Sequence, residues 1–281
     1  MPPGSEGTAA PLLGKSPIHT SKEETVNPST DYATEFAGRT ALITGAASGI
    51  GLAVARRLAA GGATLAIADI NDTGAQEIAD ELRTKGTKAI AIRVDVTDPA
   101  SVEAAVQSAV DQHGALHLAV NNAGIIGAVT STAEYPQDQW SRVISTNLDG
   151  VFYSLQYELP AILAAGGGAI VNLGSVCAVN GFPGVAGYAA AKHGVIGLTK
   201  TAALEYAPSG VRINAIVPGF IDTPLLADVT DEERAYLIGL HPAGRLGTAD
   251  EVAEMAAFLL SERASFVNGS SHFVDGAYSA R

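Results

Sequence analysis

From about residue 40 onward, short apolar runs alternate with longer stretches whose apolar positions recur at helical spacing. The runs cover 40–44, 64–68, 89–94, 116–120, 169–173, 211–217 and 272–274, and each reads as a strand. Helical spacing occupies 50–60, 72–83, the stretch opened by Asp98-Pro99, a long segment over 137–163, then 187–206 and 249–260. Asp98 suits an N-cap and Pro99 the first helical position. Gly61-Gly62 and a glycine at 86 end the first two helices. Strand and helix alternating at this cadence imply a parallel sheet with both faces covered. The cadence predicts an α/β chain with one doubly wound domain over 37–281: a parallel seven-stranded sheet flanked by helices on both faces. Residues 1–36, with proline, glycine, serine and threonine and no periodicity, read as a flexible N-terminal extension.

Composition narrows the function. Seventeen Lys and Arg stand against 29 Asp and Glu, a formal charge of -12 over 281 residues. Such a field repels phosphate backbones and argues against nucleic-acid binding. A single cysteine, Cys177, excludes an intrachain disulfide and a cysteine-rich metal centre. The histidines lack ligand spacing, and no catalytic metal is expected. No apolar run approaches the roughly 18 residues of a membrane span, and no signal peptide is legible, so no membrane association and a cytoplasmic location are expected.

The first strand runs into Thr44-Gly45-Ala46-Ala47-Ser48-Gly49-Ile50-Gly51. A glycine-rich turn between a strand and a helix lets the chain reverse sharply and lets a pyrophosphate approach the helix N-terminus. Asp69 ends the second strand, where a carboxylate accepts hydrogen bonds from the adenosine ribose of NAD and repels the 2′-phosphate of NADP. Neither Ser48 nor Ile70-Asn71 supplies a compensating cation. NAD is therefore the expected cofactor of a Rossmann-type domain.

Tyr188 and Lys192 stand at i and i+4 on one helix face. A free tyrosine titrates near 10, so only about one part in a thousand is ionised at pH 7. A nearby ammonium favours the phenolate, and lowering that value by about 3 units, which takes about 4 kcal/mol, would make Tyr188 a general acid and base.

With Asp95-Val96, Asn121-Asn122-Ala123-Gly124, Asn147, Ser175 and Pro218-Gly219 added to the glycine turn and the Tyr188/Lys192 pair, the chain resembles the short-chain dehydrogenase/reductase family over nearly all of residues 37–281. The resemblance implies a catalytic tetrad. Tyr188 would exchange a proton with the substrate oxygen, and Ser175 would orient that oxygen. Lys192 would lower the Tyr188 pKa and bind the nicotinamide ribose, and Asn147 would hold a water that leads the proton to solvent. It also implies cofactor contacts from Gly45, Ser48, Gly49, Ile50, Gly51, Asp69, Ile70, Asp95, Val96, Asn122, Ala123 and Gly124, from Tyr188 and Lys192, and from Pro218, Gly219, Ile221 and Thr223. Asn121 reads instead as a sheet-stabilising residue.

The expected activity is NAD-dependent interconversion of a secondary alcohol and a ketone. Ile125, Ile126, Val176, Val179, Phe182, Val185, Phe220, Leu225 and Leu226 fall in segments expected to line the substrate side, so the substrate is expected to be apolar or alicyclic. Residues 222–240 read as a lid, and Cys177 as a small packing residue. Two alternatives stay open. His241-Pro242-x-Gly244-Arg245-Leu246-Gly247 also resembles 3-oxoacyl-thioester reductases that use NADPH, and a non-catalytic dinucleotide-sensing scaffold would share the fold. The resemblance further implies a homotetramer with 137–163 and 187–206 at one interface.

Overall fold

The computed structural model describes residues 32–280. Strand β1 (Thr40–Thr44) leads into helix α1 (Gly49–Ala60), followed by β2 (Thr64–Asp69), α2 (Asp72–Thr84), β3 (Ala89–Arg93), α3 (Pro99–His113) and β4 (Leu118–Asn121). The second half runs α4 (Gln137–Ile144), α5 (Gly150–Ala164), β5 (Gly168–Leu173), α6 (Ala186–Tyr206), β6 (Val211–Pro218), α7 (Asp231–Gly239), α8 (Ala249–Leu260) and β7 (Ser271–Val274). The seven strands form one sheet in the order β3-β2-β1-β4-β5-β6-β7, and every pairing is parallel. The order reverses between β1 and β4, the crevice where doubly wound folds bind ligands beyond the carboxyl ends of the strands.

The inner strands β1, β2, β4, β5 and β6 are buried on both sides, whereas the edge strands β3 and β7 are partly exposed. Ala41 and Ile43 of β1 pack with Leu65 and Ile67 of β2 against the face that carries α1, α2 and α8. Leu42, Ala66 and Ala68 point the other way, to the face that carries α3, α5 and α6. Ile67 is fully buried, so cutting it back to alanine would cost about 2–5 kcal/mol. The capping read for α3 is present: Asp98 Oδ1 accepts from Ala100 N–H at 3.0 Å, with Pro99 in the first turn.

Two boundaries differ from the pattern. The packed chain starts before residue 37: Phe36 is 2% exposed and its N–H donates to Gly61 O at 2.7 Å, while Glu35 pairs with Arg57 and Arg263. A lone phenylalanine outside any period carries no sequence signal for this. The remainder of the expected extension, residues 1–31, lies outside the described residues. The long helix expected over 137–163 is interrupted by a π-turn at Ser145–Asp149, where Gly150 N–H reaches back to Ser145 O. One extra residue in a helical turn rotates the side chains after it, and such insertions cluster at functional sites. Here the turn contains Asn147, which is fully buried.

Candidate active site

The glycine turn is shaped by contacts within the protein. Gly45 has φ +65°, a conformation that disfavours a side chain, and a Cβ there would lie 2.9 Å from Ala123 Cα. A Cβ on Gly51 would lie 2.2 Å from Gly45 O, so the packing of helix against turn requires glycine there. Asn122 fastens the turn from the neighbouring strand, its Nδ2 donating to Thr44 O (3.0 Å) and Gly45 O (2.9 Å). Ser48, the N-cap of α1, makes no side-chain cap, and no acid stands in the first turn. The first amides of α1 are left to an outside acceptor, the arrangement that receives a phosphate.

A cleft of about 500 Å³ runs from this turn along the ends of β2, β3 and β4. Gly45, Ser48, Gly49, Ile50, Asp69, Ile70, Asp95, Val96, Asn122, Ala123, Gly124 and Thr223 all line it. Asp69 has two roles within the protein: Oδ2 accepts from Ala47 N–H and Oδ1 from Asn71 N–H, both at 2.9 Å. It thereby ties the glycine turn to the start of α2 while facing the cleft. The charged lining is Asp69, Asp95 and Arg142. The residues present fit a dinucleotide: uncapped amides for the pyrophosphate, carboxylates for ribose hydroxyls, and Val96 and Ile70 for an aromatic base.

A second pocket, about 400 Å³, joins the first where Ile50, Asn122, Gly124, Thr223 and Leu225 line both. Ser175, Tyr188 and Lys192 line it, as do Pro218, Gly219 and Ile221, which do not line the first cleft. Ser175 follows β5 and caps a 3-10 turn, its Oγ accepting from Cys177 N–H at 3.1 Å, and its hydroxyl also hydrogen-bonds the Tyr188 phenol. Lys192, one turn after Tyr188 in α6, donates to Leu173 O at 2.7 Å, and its Nζ lies 5.7 Å from the centre of the Tyr188 ring. Asn147 is fastened at both ends of its amide: Oδ1 accepts from Ile125 N–H (2.9 Å) and Nδ2 donates to Ile125 O (2.7 Å). A Cβ on Gly124 would come within 2.7 Å of Asn147 Oδ1 and 3.7 Å of Lys192 Nζ, so the strand end, the π-turn and α6 converge on one spot.

The electrostatics correct one expectation. Tyr188 is only partly buried as a residue, but its phenol end is enclosed, and burial pushes its pKa up to about 12 despite the Ser175 hydrogen bond. Lys192 does not pull it down in this state. The ammonium sits over the ring and is committed to Leu173 O, and its own burial lowers it to about 8. Desolvation thus outweighs the expected ammonium effect. Burial also raises the Cys177 thiol, which suits a packing residue rather than a nucleophile.

The second pocket is mostly apolar, and its lining overlaps only in part with the residues expected on the substrate side. Ile126, Val176, Phe182, Val185, Phe220, Leu225 and Leu226 line the pocket. Ile125 turns to the cofactor cleft, and Val179 lines neither and is 42% exposed. Val129, Val229, Glu233, Tyr236 and Leu237 also line it, and Thr97, Arg142 and Thr146 line the cofactor cleft. The segment 222–240 contains Val229, Glu233, Tyr236 and Leu237, and the segment 125–133, also expected on the substrate side, contains Val129; no motif marks these individual positions. Asn121 stays in the sheet, its Nδ2 donating to Glu158 Oε2 (3.0 Å) and Asn172 Oδ1 (2.9 Å).

A parallel doubly wound sheet, a phosphate-receptive helix start and a serine–tyrosine–lysine set together define an oxidoreductase that works on alcohols with a nicotinamide dinucleotide. Comparison with known proteins agrees. A family profile described as enoyl-(acyl carrier protein) reductase matches residues 45–279. Cyclohexanol dehydrogenase of Acinetobacter sp. (strain SE19) is 53% identical over 247 residues, 88% of this chain and 97% of that one. Cis-4-hydroxycyclohexanecarboxylate dehydrogenase of Sinomonas cyclohexanicum is 45% identical over 87% of this chain and 98% of its own. Among solved structures, a gluconate 5-dehydrogenase from Burkholderia cenocepacia J2315, in complex with NADP and tartrate, superposes with a TM-score of 0.84 at 37% identity, covering 89% of this chain and 98% of that one. The chain belongs to the short-chain dehydrogenase/reductase family.

Proposed function

We propose that the protein oxidises an uncharged alicyclic secondary alcohol to its ketone, and reverses the reaction, with NAD as the cofactor. The observation that carries this reading is the pocket. It is apolar on its walls, carries its reactive hydroxyls in its lining, and opens at Gly124 into the dinucleotide cleft. A six-membered ring matches such walls, and the relatives named for cyclohexanol and a hydroxycyclohexane carboxylate support the ring class.

The bound dinucleotide supplies the hydride acceptor for oxidation and the donor for reduction. The chain's own groups handle the proton. Ser175 Oγ hydrogen-bonds the substrate oxygen and orients it towards Tyr188. The Tyr188 phenol, protonated at neutral pH, gives its proton to that oxygen in the ketone-reducing direction; in the oxidising direction the phenolate takes it. Lys192, whose Nζ lies 5.7 Å from the centre of the Tyr188 ring, is placed to meet the ribose. Asn147 holds the 125 loop and the strand end beside Lys192; with its amide committed to Ile125, any water it carries would need its remaining hydrogen-bonding capacity or its backbone. The pocket's apolar walls exclude water from the reacting oxygen.

Asp69 supports NAD over NADP, because a 2′-phosphate would meet its carboxylate with Ile70 as the next residue. The NADP-bound relative makes this worth testing directly. The ratio of kcat/KM for NAD to that for NADP should exceed about tenfold in the wild type and fall by at least that factor in Asp69→Ala. A wild type that prefers NADP overturns the cofactor assignment and favours the 3-oxoacyl-thioester reductase, the activity named for a relative from Salmonella typhimurium that is 39% identical. An acidic acyl carrier would face a chain of net charge -12 and a pocket lined by Glu233, which weighs against that reading. The complete serine–tyrosine–lysine set weighs against a non-catalytic scaffold.

We also infer a homotetramer. Trp140, Phe152, Leu163 and Leu204 leave apolar surface exposed on α4, α5 and α6, the expected interface helices. A solution mass near one chain would remove that inference.

A further inference from the structure

Helix α7 and the turn after β6 form two walls of the apolar pocket, and a single imidazole joins them. His241 is 4% exposed. Its Nε2 accepts from Phe220 N–H at 3.2 Å, and its Nδ1 meets Leu237 O, within α7, at 2.9 Å. These two partners assign the neutral tautomer with the proton on Nδ1, and they leave neither nitrogen for proton transfer. The imidazole stands edge-on to the Phe220 ring, with centres 5.7 Å apart and planes at 87°, and Phe220 in turn meets Phe182 at 5.3 Å. A Cβ on Gly219 would lie 2.6 Å from His241 Nε2, so the turn can press against the imidazole only with glycine there. The other side of the turn is held as well, since Phe220 O accepts from Gly247 N–H at 3.0 Å.

We propose that His241 is a positioning residue: its two hydrogen bonds fix the Phe220 wall of the pocket relative to α7, and so set how tightly a ring-shaped substrate is gripped. This rests on the alicyclic reading above. Phe220 and Leu237 both line the pocket, and each is bonded through its backbone to the same ring. Without the imidazole, the Phe220 amide loses its acceptor and the Leu237 carbonyl loses this donor, so turn and helix are free to part.

The test compares His241→Leu, which keeps bulk but loses both bonds, with His241→Gln, whose amide can accept from one partner and donate to the other. His241→Leu should raise the KM for cyclohexanol roughly tenfold and change kcat by less, and His241→Gln should recover most of that loss. Hydrogen exchange on the full chain gives a readout independent of turnover. In His241→Leu, exchange should rise together at residues 219–222 and in α7, and His241→Gln should restore both. An unchanged KM, equal impairment of the two variants, or exchange that rises in α7 alone would overturn the proposal. If the wild type turns over no secondary alcohol, the substrate reading fails, and the exchange result alone decides the role of His241.

Discussion

Gly124 and Asn147 occupy each other's space: a side chain at 124 would begin 2.7 Å from the Asn147 amide oxygen. Asn147 cannot retreat freely, because both ends of its amide hold Ile125. Gly124→Ala should therefore displace the π-turn or the strand end, and with it Lys192, whose Nζ is the next neighbour. Overpacking of this kind costs about 1–3 kcal/mol. Steady-state kinetics should show kcat/KM reduced by about tenfold or more, with the melting temperature lowered by only a few degrees. Wild-type kinetics in Gly124→Ala would mean that the convergence at this spot is not functional.

The titration of the site predicts different pH dependence for the two directions. With Tyr188 pushed up to about 12 and Lys192 lowered to about 8, the phenol is protonated at neutral pH. Ketone reduction needs that proton and should hold its rate from pH 6 to 7. Alcohol oxidation needs the phenolate and should accelerate as pH rises above 7, roughly tenfold per unit while a single deprotonation limits it. Initial rates in both directions across this range check the assignment; an oxidation rate that falls as pH rises from 7 would contradict it.

Below the site, Glu158 is fully buried, and burial pushes its pKa up from 4.5 to about 7. One oxygen accepts from Asn121; the other, and Asn121 Oδ1, have no partner among the described residues. The folded protein holds this proton more tightly than the unfolded chain, so the contribution to stability is full below about pH 4.5. It is lost as pH rises towards 7. Glu158→Gln keeps the shape and removes the ionisation. Urea denaturation should find it equal to the wild type near pH 4.5 and more stable at pH 8, by an amount on the order of 2–3 kcal/mol. A variant that is less stable at pH 8 would show that the ionised carboxylate is satisfied in the fold.

The fold was legible because a sheet covered on both faces makes its strands continuously apolar, as in Ile43, Ile67 and Ile170. The cofactor cleft was legible because its residues fall in local motifs at strand ends. What escaped the sequence depends on distant contacts. Phe36 packs beneath Gly61 with no periodic partners. The π-turn at 145–149 adds one residue to a helix whose apolar spacing hardly registers it. Gly51 also has a packing reason to be glycine, because Gly45 O lies where its side chain would be. Val129 lines the pocket from the segment 125–133 expected there, though the sequence did not single it out, and Ile125 and Val179 turn away although their neighbours face in. The Tyr188 shift was read with the wrong sign because desolvation belongs to the assembled site, whereas the Tyr188/Lys192 spacing shows only the nearby charge.

The central claim is that Tyr188 moves the proton in an NAD-dependent alcohol oxidation. The most direct measurement is reduced-nicotinamide formation from cyclohexanol and NAD by the wild type and by Tyr188→Phe, with NAD binding measured on both. The wild type should turn over, and Tyr188→Phe should lose at least about a hundredfold in kcat while still binding NAD. Comparable turnover by the two proteins would contradict the account.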